Sequence, residues 1–248
     1  MEILNLVIIF FLGIFGNFFA AISGGAALIY IPVLIFFGFS PSVAVATNRF
    51  SALGSTPVGL YRFIKGGKIL YKLALPLGIS AALGSFVGAN LLLKVDEDLL
   101  QKLVAVFIIL IALLLLLKKD IGLEKKTTLV STKANLLGYF LSFLIGIYAG
   151  FFGAAFATFF SFLLITIFGL TFLEAAGTRK LAGLFIGVVS SVVFVLNGRV
   201  DFLYAGALLI GRSIGAYFGI GFALKHGEKY ARVIFIIFAL VAGIKLLI

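Results

Sequence analysis

The chain has 248 residues, of which 63% are hydrophobic and only 12% are charged. A water-soluble domain has about 25% charged residues, so this composition excludes an ordinary soluble domain. The absence of cysteine excludes disulfides, thiolate metal sites and thiol catalysis. The net charge of +11 comes from short basic clusters between apolar runs, which is typical of cytoplasmic loops and not of a nucleic-acid-binding surface.

Apolar runs of about 20 residues, long enough to cross about 30 Å of hydrocarbon, recur along the chain. They predict an all-α, polytopic transmembrane helical bundle. A first and a short second segment flank a break at Ser23-Gly24-Gly25, three long spans follow, and the same order returns after a polar stretch. In chain order the predicted segments are 3–22, 26–37, 43–61, 73–93 and 99–117, then 134–152, 156–168, 175–196, 202–224 and 231–248.

The two sets of segments are copies of each other at a shift of 131 residues. Thr47 corresponds to Thr178 at this shift, and Gly84 to Gly215. The matched residues include charged positions as well as glycines, and no gap is needed from about residue 38 onwards. The sequence therefore predicts a first transmembrane repeat at 1–117, a cytoplasmic loop at 118–133 and a second repeat at 134–248, and internal repeats are frequent in transporters.

The basic residues indicate how the two halves are oriented. If the two opening segments of each half enter the membrane and return, as a re-entrant hairpin or as two short crossings, the halves are inverted. The 20 Lys and Arg residues then divide into fourteen on one side and five on the other, with Arg212 inside a span. Parallel halves give eleven against eight. Cytoplasmic loops carry the Lys and Arg excess, which favours inverted halves in a plasma membrane, with both termini outside and the loop 118–133 inside.

Glycine-rich breaks interrupt the opening segments of both halves. Ser23, Gly24 and Gly25 form the first break, and Gly150 and Gly153 lie in the corresponding zone of the second half. Non-helical backbone at membrane depth occurs where protein or a water-filled cavity surrounds it. The helix starts that follow present N–H groups and partial positive charge, which suits an anion. The alternative is close helix packing through glycine.

Two repeat-related clusters begin long spans: Thr47-Asn48-Arg49 and Thr178-Arg179-Lys180. A cation near a helix start opposes the helix dipole, so these residues are expected to serve an anionic ligand or a lipid phosphate. Interfacial snorkelling is the alternative. Arg212 lies in the middle of a span, where a charge is costly and usually faces an interior or a pathway. Its alternative is a structural pair with Glu174 or Asp201.

Several chemistries lack the residues they need. The chain has no phosphate-binding G-x-x-x-x-G-K-[ST] motif, no H-E-x-x-H motif, and His226 is its single histidine. No enzyme activity, cofactor or metal is therefore predicted. The expected partners are a small anionic substrate, the lipid bilayer and a coupling proton or cation, with the oligomeric state left open. Few carboxylates lie within spans, so the chain has few groups from which a proton relay could be built.

The segment 16–32, with its Ser23-Gly24-Gly25 break and Pro32, resembles the opening motif of the sulfite exporter TauE/SafE family. The continuation from Gly38 to Asn48 is similar, and the second half repeats a looser version in which Gly153 is followed by two alanines. The resemblance covers essentially the whole chain. It implies a secondary permease for sulfite, other sulfur oxyanions or organosulfonates, working in either direction, with its site at Ser23, Gly24, Gly25, Thr47 and Asn48.

The sequence therefore predicts a two-fold pseudosymmetric permease for a small anion, working by alternating access. The competing interpretation is a membrane scaffold or lipid-interacting subunit without transport of its own, in which the cationic clusters would hold lipid phosphates.

Overall fold

In a computed structural model of the chain, residues 2–20, 25–117 and 132–226 are described, with side chains except at 111–117 and 223–226. All regular secondary structure in this part is α-helical, as the composition predicts. Its nine helices are α1 (Glu2–Ala20), α2 (Ala27–Phe36), α3 (Pro41–Lys65), α4 (Tyr71–Leu92), α5 (Glu97–Leu117), α6 (Thr132–Phe151), α7 (Phe156–Phe168), α8 (Phe172–Leu196) and α9 (Phe202–His226). The predicted last span, 231–248, and most of the loop 118–133 lie outside the described residues.

Five described helices are long and apolar enough to cross a membrane: α1, α4, α6, α8 and α9. The 25-residue helix α3 is equally long but is not among them. Its middle carries Asn48, Arg49, Ser51 and Ser55, all of which are buried inside the protein. These polar side chains lower the hydropathy of α3, so its composition alone does not identify it as a span. They face protein and not lipid.

The helix bounds repeat at the shift found in the sequence. Helix α3 runs from 41 to 65 and α8 from 172 to 196, so both ends differ by 131, and the starts of α4 and α9 differ by the same number. Equivalent hydroxyls hold equivalent loops. Thr47 Oγ1 accepts a hydrogen bond from the Asp201 N–H (3.1 Å), and Thr178 Oγ1 accepts one from the Leu70 N–H (3.2 Å).

These two hydrogen bonds give the relative direction of α3 and α8. Thr47 lies near the start of α3 and Asp201 follows the end of α8, while Thr178 lies near the start of α8 and Leu70 follows the end of α3. The two equivalent helices are therefore antiparallel, the arrangement that inverted halves require. We call the end of the bundle where α3 begins the first face, and the opposite end the second face.

The first helix of each half packs on the fourth helix of the other half. Three glycines of α9 approach α1 in matching chain order, Gly211 near Phe10, Gly215 near Ile14 and Gly219 near Phe18. Glycines of α4 and α6 do the same, Gly84 near Phe143, Gly88 near Ile147, Gly146 near Ala81 and Gly150 near Ser85. Each pair of helices is therefore parallel and in backbone contact, as small residues at membrane helix interfaces allow.

The opening segment of the first half enters the bundle and returns. Helix α1 is parallel to α9, which begins at the first face, so α1 also begins there. Helix α2 ends next to the start of α3, again at the first face. With 10 residues it is about 15 Å long, half of a hydrocarbon core of about 30 Å. Its N-terminus therefore lies deep in the bundle.

Candidate functional site

A cavity of about 140 Å³ lies between helices of the two predicted halves. Its walls come from the breaks in both opening segments, from the middle of α3 and α8, and from Arg212 near the middle of α9. Seven residues singled out from the sequence line it: Gly25, Asn48, Arg49, Gly153, Arg179, Lys180 and Arg212. Residues far apart in the chain thus meet at one point because the equivalent helices α3 and α8 cross there.

Of the other five sequence candidates, Ser23 and Gly24 fall outside the described residues, and the remaining three do not line the cavity. Gly150 belongs to the contact between α4 and α6, where an added Cβ would meet the Ser85 carbonyl oxygen. The hydroxyls of Thr47 and Thr178 accept hydrogen bonds from the loops before α9 and α4. Neither threonine is part of the cavity lining, so both hold the repeat-related loops in place.

Two short helices begin at the cavity without side-chain caps. Ala26 and Ala155 occupy the N-cap positions of α2 and α7, and neither helix start has a side-chain cap hydrogen bond. The first N–H groups of a helix have no partner within it, and alanine is a poor N-cap. Ala155 also has φ 56°, a left-handed conformation that costs a non-glycine residue about 1–2 kcal/mol. The Leu28 and Phe156 N–H groups already donate to the Gly25 and Gly153 carbonyls, so what both helix starts present to a ligand is their positive dipole ends.

Arg49 is packed into the second break. Its Nη2 donates to the Ala149 carbonyl oxygen, and a Cβ at Gly153 would collide with its guanidinium group. Gly153 has φ +74°, a conformation that glycine adopts without steric cost. Arg49 Nε is buried and has no hydrogen-bond partner in the described part of the protein. One donor of this guanidinium is therefore unused next to the cavity.

Arg212 is held by α3. Its Nη1 donates to the Asn48 side-chain oxygen (2.8 Å), the Asn48 carbonyl (3.1 Å) and Ser51 Oγ (3.1 Å). The guanidinium also lies 5.0 Å from the centre of the Tyr30 ring, a cation–π distance. Asn17 Nδ2 donates to the Arg212 carbonyl oxygen (2.7 Å). Arg212 Nε is buried and, among the described atoms, has no partner.

The two carboxylates considered as partners of Arg212 have other roles. Glu174 forms a capping box with Thr171 at the start of α8. Asp201 accepts a hydrogen bond from the Tyr204 N–H (2.9 Å) at the start of α9. Both acids therefore stabilise helix starts, and a structural ion pair with Arg212 is the wrong alternative.

The cavity lining concentrates positive charge. It contains Arg49, Arg179, Lys180 and Arg212, and its described part includes no Asp or Glu. The three arginines are only 9%, 5% and 7% exposed, and Lys180 lies with them in the same lining. Like charges in a poorly hydrated site repel strongly. The arrangement therefore fits an anion, and no cluster of metal-binding side chains occurs among the described residues.

Sequence reasoning missed part of this site. Ser51 and Tyr30 contact Arg212, and Ser55 lines the cavity. Asn48, Ser51 and Ser55 are spaced at i, i+3 and i+7, which places them on one face of a helix, so this stripe was a usable signal. Tyr30 lies in an apolar run and offers no such signal.

Comparison with known proteins agrees with this architecture. Residues 9–246 match the sequence model of the sulfite exporter TauE/SafE family. Probable membrane transporter protein YfcA of Escherichia coli strain K12 is 29% identical over 251 residues, covering 98% of this chain and 90% of that protein. A probable membrane transporter protein of Haemophilus influenzae is 26% identical, covering 97% and 94%. Bacillus subtilis YdhB, also named a probable membrane transporter protein, is 28% identical, covering 88% and 89%.

No solved structure matches the chain. The family match spans nearly the whole sequence, and the names of the relatives denote transport, not catalysis. These findings agree with the long apolar helices of the structure. The chain is a multi-pass membrane transporter and belongs to the sulfite exporter TauE/SafE family.

Proposed function

We propose that this transporter carries a small anion, sulfite or another sulfur oxyanion or organosulfonate, through the cavity between its two halves. The observation that carries the proposal is the lining, which contains four basic side chains and, in its described part, no acid. Burying the cations of Arg49 and Arg212 without a counter-charge is costly. A small anion in the cavity would supply that counter-charge.

The donors around the cavity suit oxygen atoms that carry negative charge. Arg49 and Arg212 each have a buried Nε without a partner among the described residues. The starts of α2 and α7, which have no side-chain caps, add their positive dipole ends. Charge-assisted hydrogen bonds, such as those of arginine, are the stronger ones in proteins. The preference for sulfur rests on the family description, because arginine donors and helix dipoles serve any oxyanion.

Alternating access follows from the proposed inversion of the halves. The antiparallel course of α3 and α8 supports inverted repeats, since each Thr holds the loop after the other helix. In such transporters the site stays near mid-membrane while one group of helices rocks against another. By the distribution of basic residues, the first face is outside, the second face is inside, and the loop 118–133 is cytoplasmic.

Flux into proteoliposomes tests this function. We expect saturable uptake of radiolabelled sulfite, competed by some of the panel thiosulfate, sulfate, a sulfonate, phosphate and chloride. Arg49→Gln is expected to reduce uptake by more than about tenfold, because a hydrogen bond to a charged group contributes about 1.5–3 kcal/mol. Lys65→Gln makes the same charge change at an exposed position of the same helix and should leave uptake unchanged. Uptake of none of the anions, by protein that is folded and inserted, would contradict the proposal.

A further inference from the structure

A groove of about 360 Å³ lies on the surface of the bundle near the second face. Three helices form its described lining, which combines one arginine with aromatic rings: Phe18 of α1, Arg62 of α3, and Tyr217, Phe218, Gly221 and Phe222 of α9. The three aromatic side chains of α9 are exposed, so the groove faces the surroundings of the protein. Among the described residues, its lining has no member in common with the cavity between the halves.

Arg62 is held in this groove by α9. Its Cζ atom lies 4.5 Å from the centre of the Tyr217 ring, a cation–π distance. A Cβ at Gly221 would lie 3.2 Å from Arg62 Nη1, so the missing side chain leaves room for the guanidinium. The guanidinium is planar and stacks on aromatic faces, while its N–H groups lie at its edge. An arginine placed in this way can donate hydrogen bonds to a phosphate.

The groove lies at the depth where lipid headgroups meet acyl chains. At a rise of about 1.5 Å per residue, Arg62 and Gly221 lie about 31 and 28 Å from the starts of α3 and α9 at the first face. A hydrocarbon core is about 30 Å thick. Phe18 and Phe218 lie about 24 Å from the starts of their helices at the same face. A lipid in the groove would therefore have its headgroup near Arg62 and its chains along these two rings.

The repeat-related surface near the first face lacks the arginine. At the shift of 131 residues, the exposed aromatic positions of α9 correspond to exposed positions near the end of α4: Phe86, Val87 and Leu91. Arg62 corresponds to Val193, which is buried. Both surfaces are apolar enough to contact acyl chains, but only the one near the second face has a cation at headgroup depth.

The second face is also the one that an anionic lipid would meet. Lys68 and Lys72 are exposed there, and under the proposed orientation this face is cytoplasmic. The cytoplasmic leaflet has a negative surface potential that comes from anionic lipids. The charge of the groove is therefore complementary to the leaflet next to it.

We propose that this groove binds one anionic phospholipid, with the phosphate on the Arg62 guanidinium and the acyl chains along Phe18 and Phe218. The juxtaposition that carries the inference is an arginine stacked on Tyr217 at the end of an exposed aromatic groove. The lipid would contact both α3, which supplies Arg49 to the cavity, and α9, which supplies Arg212.

Native mass spectrometry of the delipidated protein resolves individual bound lipids. The protein is titrated in detergent with phosphatidylglycerol or with phosphatidylcholine of the same chain length. We expect the first phosphatidylglycerol to bind at least about tenfold more tightly, because phosphatidylcholine carries a cation beside its phosphate. Glycerol 3-phosphate at the concentration of the lipid should not displace it, since the headgroup alone lacks the contacts of the chains.

Arg62→Gln should weaken the binding of phosphatidylglycerol by at least about tenfold, as expected for loss of a hydrogen bond to a charged group. Lys65→Gln is the matched control, with the same charge change three residues further along α3 and outside the groove lining. Tyr217→Leu keeps the groove apolar and removes the ring beneath Arg62, so it should weaken binding about two- to fivefold. Phe86→Leu at the repeat-related position should bind normally.

Equal affinity for the two lipids would overturn the proposal, and so would an equal loss in Arg62→Gln and Lys65→Gln, which would indicate surface charge alone. Displacement by glycerol 3-phosphate would show a site for free anions and not for lipid. If Arg62→Gln does not fold, Tyr217→Leu against Phe86→Leu decides the question. None of these results depends on sulfite transport, so the proposed function and the lipid site can fail separately.

Discussion

Two polar clusters join the halves of this transporter, and they balance their charges differently. At the first face, Glu97 accepts hydrogen bonds from the Ser42 N–H (3.0 Å) and hydroxyl and lies 3.5 Å from Arg199 Nη1. Here an acid meets a base, and both side chains are about 40% exposed. In the cavity, Arg49 and Arg212 are buried, and the lining has no acid in its described part.

The difference separates a structural contact from a binding site. The first-face cluster is complete without a ligand, and exposed ion pairs contribute little to stability. In the cavity, by contrast, the Nε atoms of Arg49 and Arg212 have no hydrogen-bond partner among the described atoms. Helix starts show the same contrast. The start of α8 has a capping box, whereas α2 and α7 begin at the cavity with alanine and no cap.

Arg212→Gln should have the largest effect, because it removes a buried cation and its hydrogen bonds to Asn48 and Ser51. Each hydrogen bond of a charged group contributes about 1.5–3 kcal/mol. We expect the dissociation constant for the transported anion, measured by equilibrium binding, to rise at least about tenfold. Lys65→Gln, with the same charge change outside the cavity, should bind normally. Equal affinities for the two variants would show that Arg212 does not contribute to anion binding, and the cavity would then no longer differ from the first-face cluster as a binding site.

Gly215→Ala tests whether backbone contact, and not charge, holds the halves together. The added Cβ would meet the Ile14 carbonyl oxygen, so α1 and α9 must separate. Overpacking of this kind costs about 1–3 kcal/mol, measured as a lower melting temperature. Gly206→Ala on the same helix has no neighbour within 4 Å and should stabilise by up to about 1 kcal/mol. If Gly215→Ala left the melting temperature unchanged, the packing of α1 on α9 would not depend on this close backbone contact.

Gly153→Ala should act on both stability and binding. Its φ of +74° makes a side chain unfavourable by about 1–2 kcal/mol, and the Cβ would also displace the Arg49 guanidinium. Gly67→Ala, at φ +61° with open space around it, carries the same backbone strain alone. Melting temperatures should fall in both variants, and anion affinity only in the first. Loss of affinity in both would mean that strain, not the position of Arg49, is responsible.

Thr47→Val should lower stability and leave anion binding intact. It removes the acceptor for the Asp201 N–H, a hydrogen bond that contributes about 0.5–1.5 kcal/mol. Thermal unfolding and anion titration of the same sample measure both quantities. Thr166→Val, at an exposed position of α7, is the control. An anion affinity that fell with Thr47→Val at constant stability would return this threonine to the binding site.

Glu97→Gln should have the smallest effect. The pair with Arg199 is exposed on both sides, and such pairs contribute about 0–1 kcal/mol, less at high salt. We expect a small decrease in melting temperature that disappears in concentrated salt, with unchanged sulfite flux. A large loss of flux at normal stability would show that the first-face cluster takes part in transport.

The helices can be predicted from the sequence because each one depends on a pattern of neighbouring residues. Apolar runs give the spans, and the shift of 131 residues anticipates the matching bounds of α3 and α8. The cationic residues of the cavity are visible too, since charges such as Arg212 stand out in apolar surroundings. Thr47 is different, because its residue type and position do not reveal that its partner is the backbone of residue 201.

What the sequence does not reveal depends on contacts between distant segments. Gly150 and Gly153 lie in one glycine-rich stretch, yet the first packs on α4 and the second on Arg49. Only the crossing of helices distinguishes them. In the same way, the sequence does not distinguish Tyr30 from the apolar residues around it in α2. Its position beside Arg212 follows from the return of α2 towards the first face.

Thermal unfolding of the purified protein against a panel of anions tests the central claim, that the cavity is an anion site, most directly. A ligand that binds only the folded state raises the melting temperature by mass action. We predict a rise with sulfite or another sulfur oxyanion that persists in Lys65→Gln and is lost in Arg49→Gln and Arg212→Gln. A rise of the same size in all variants, or no rise with any anion of the panel, would contradict the claim.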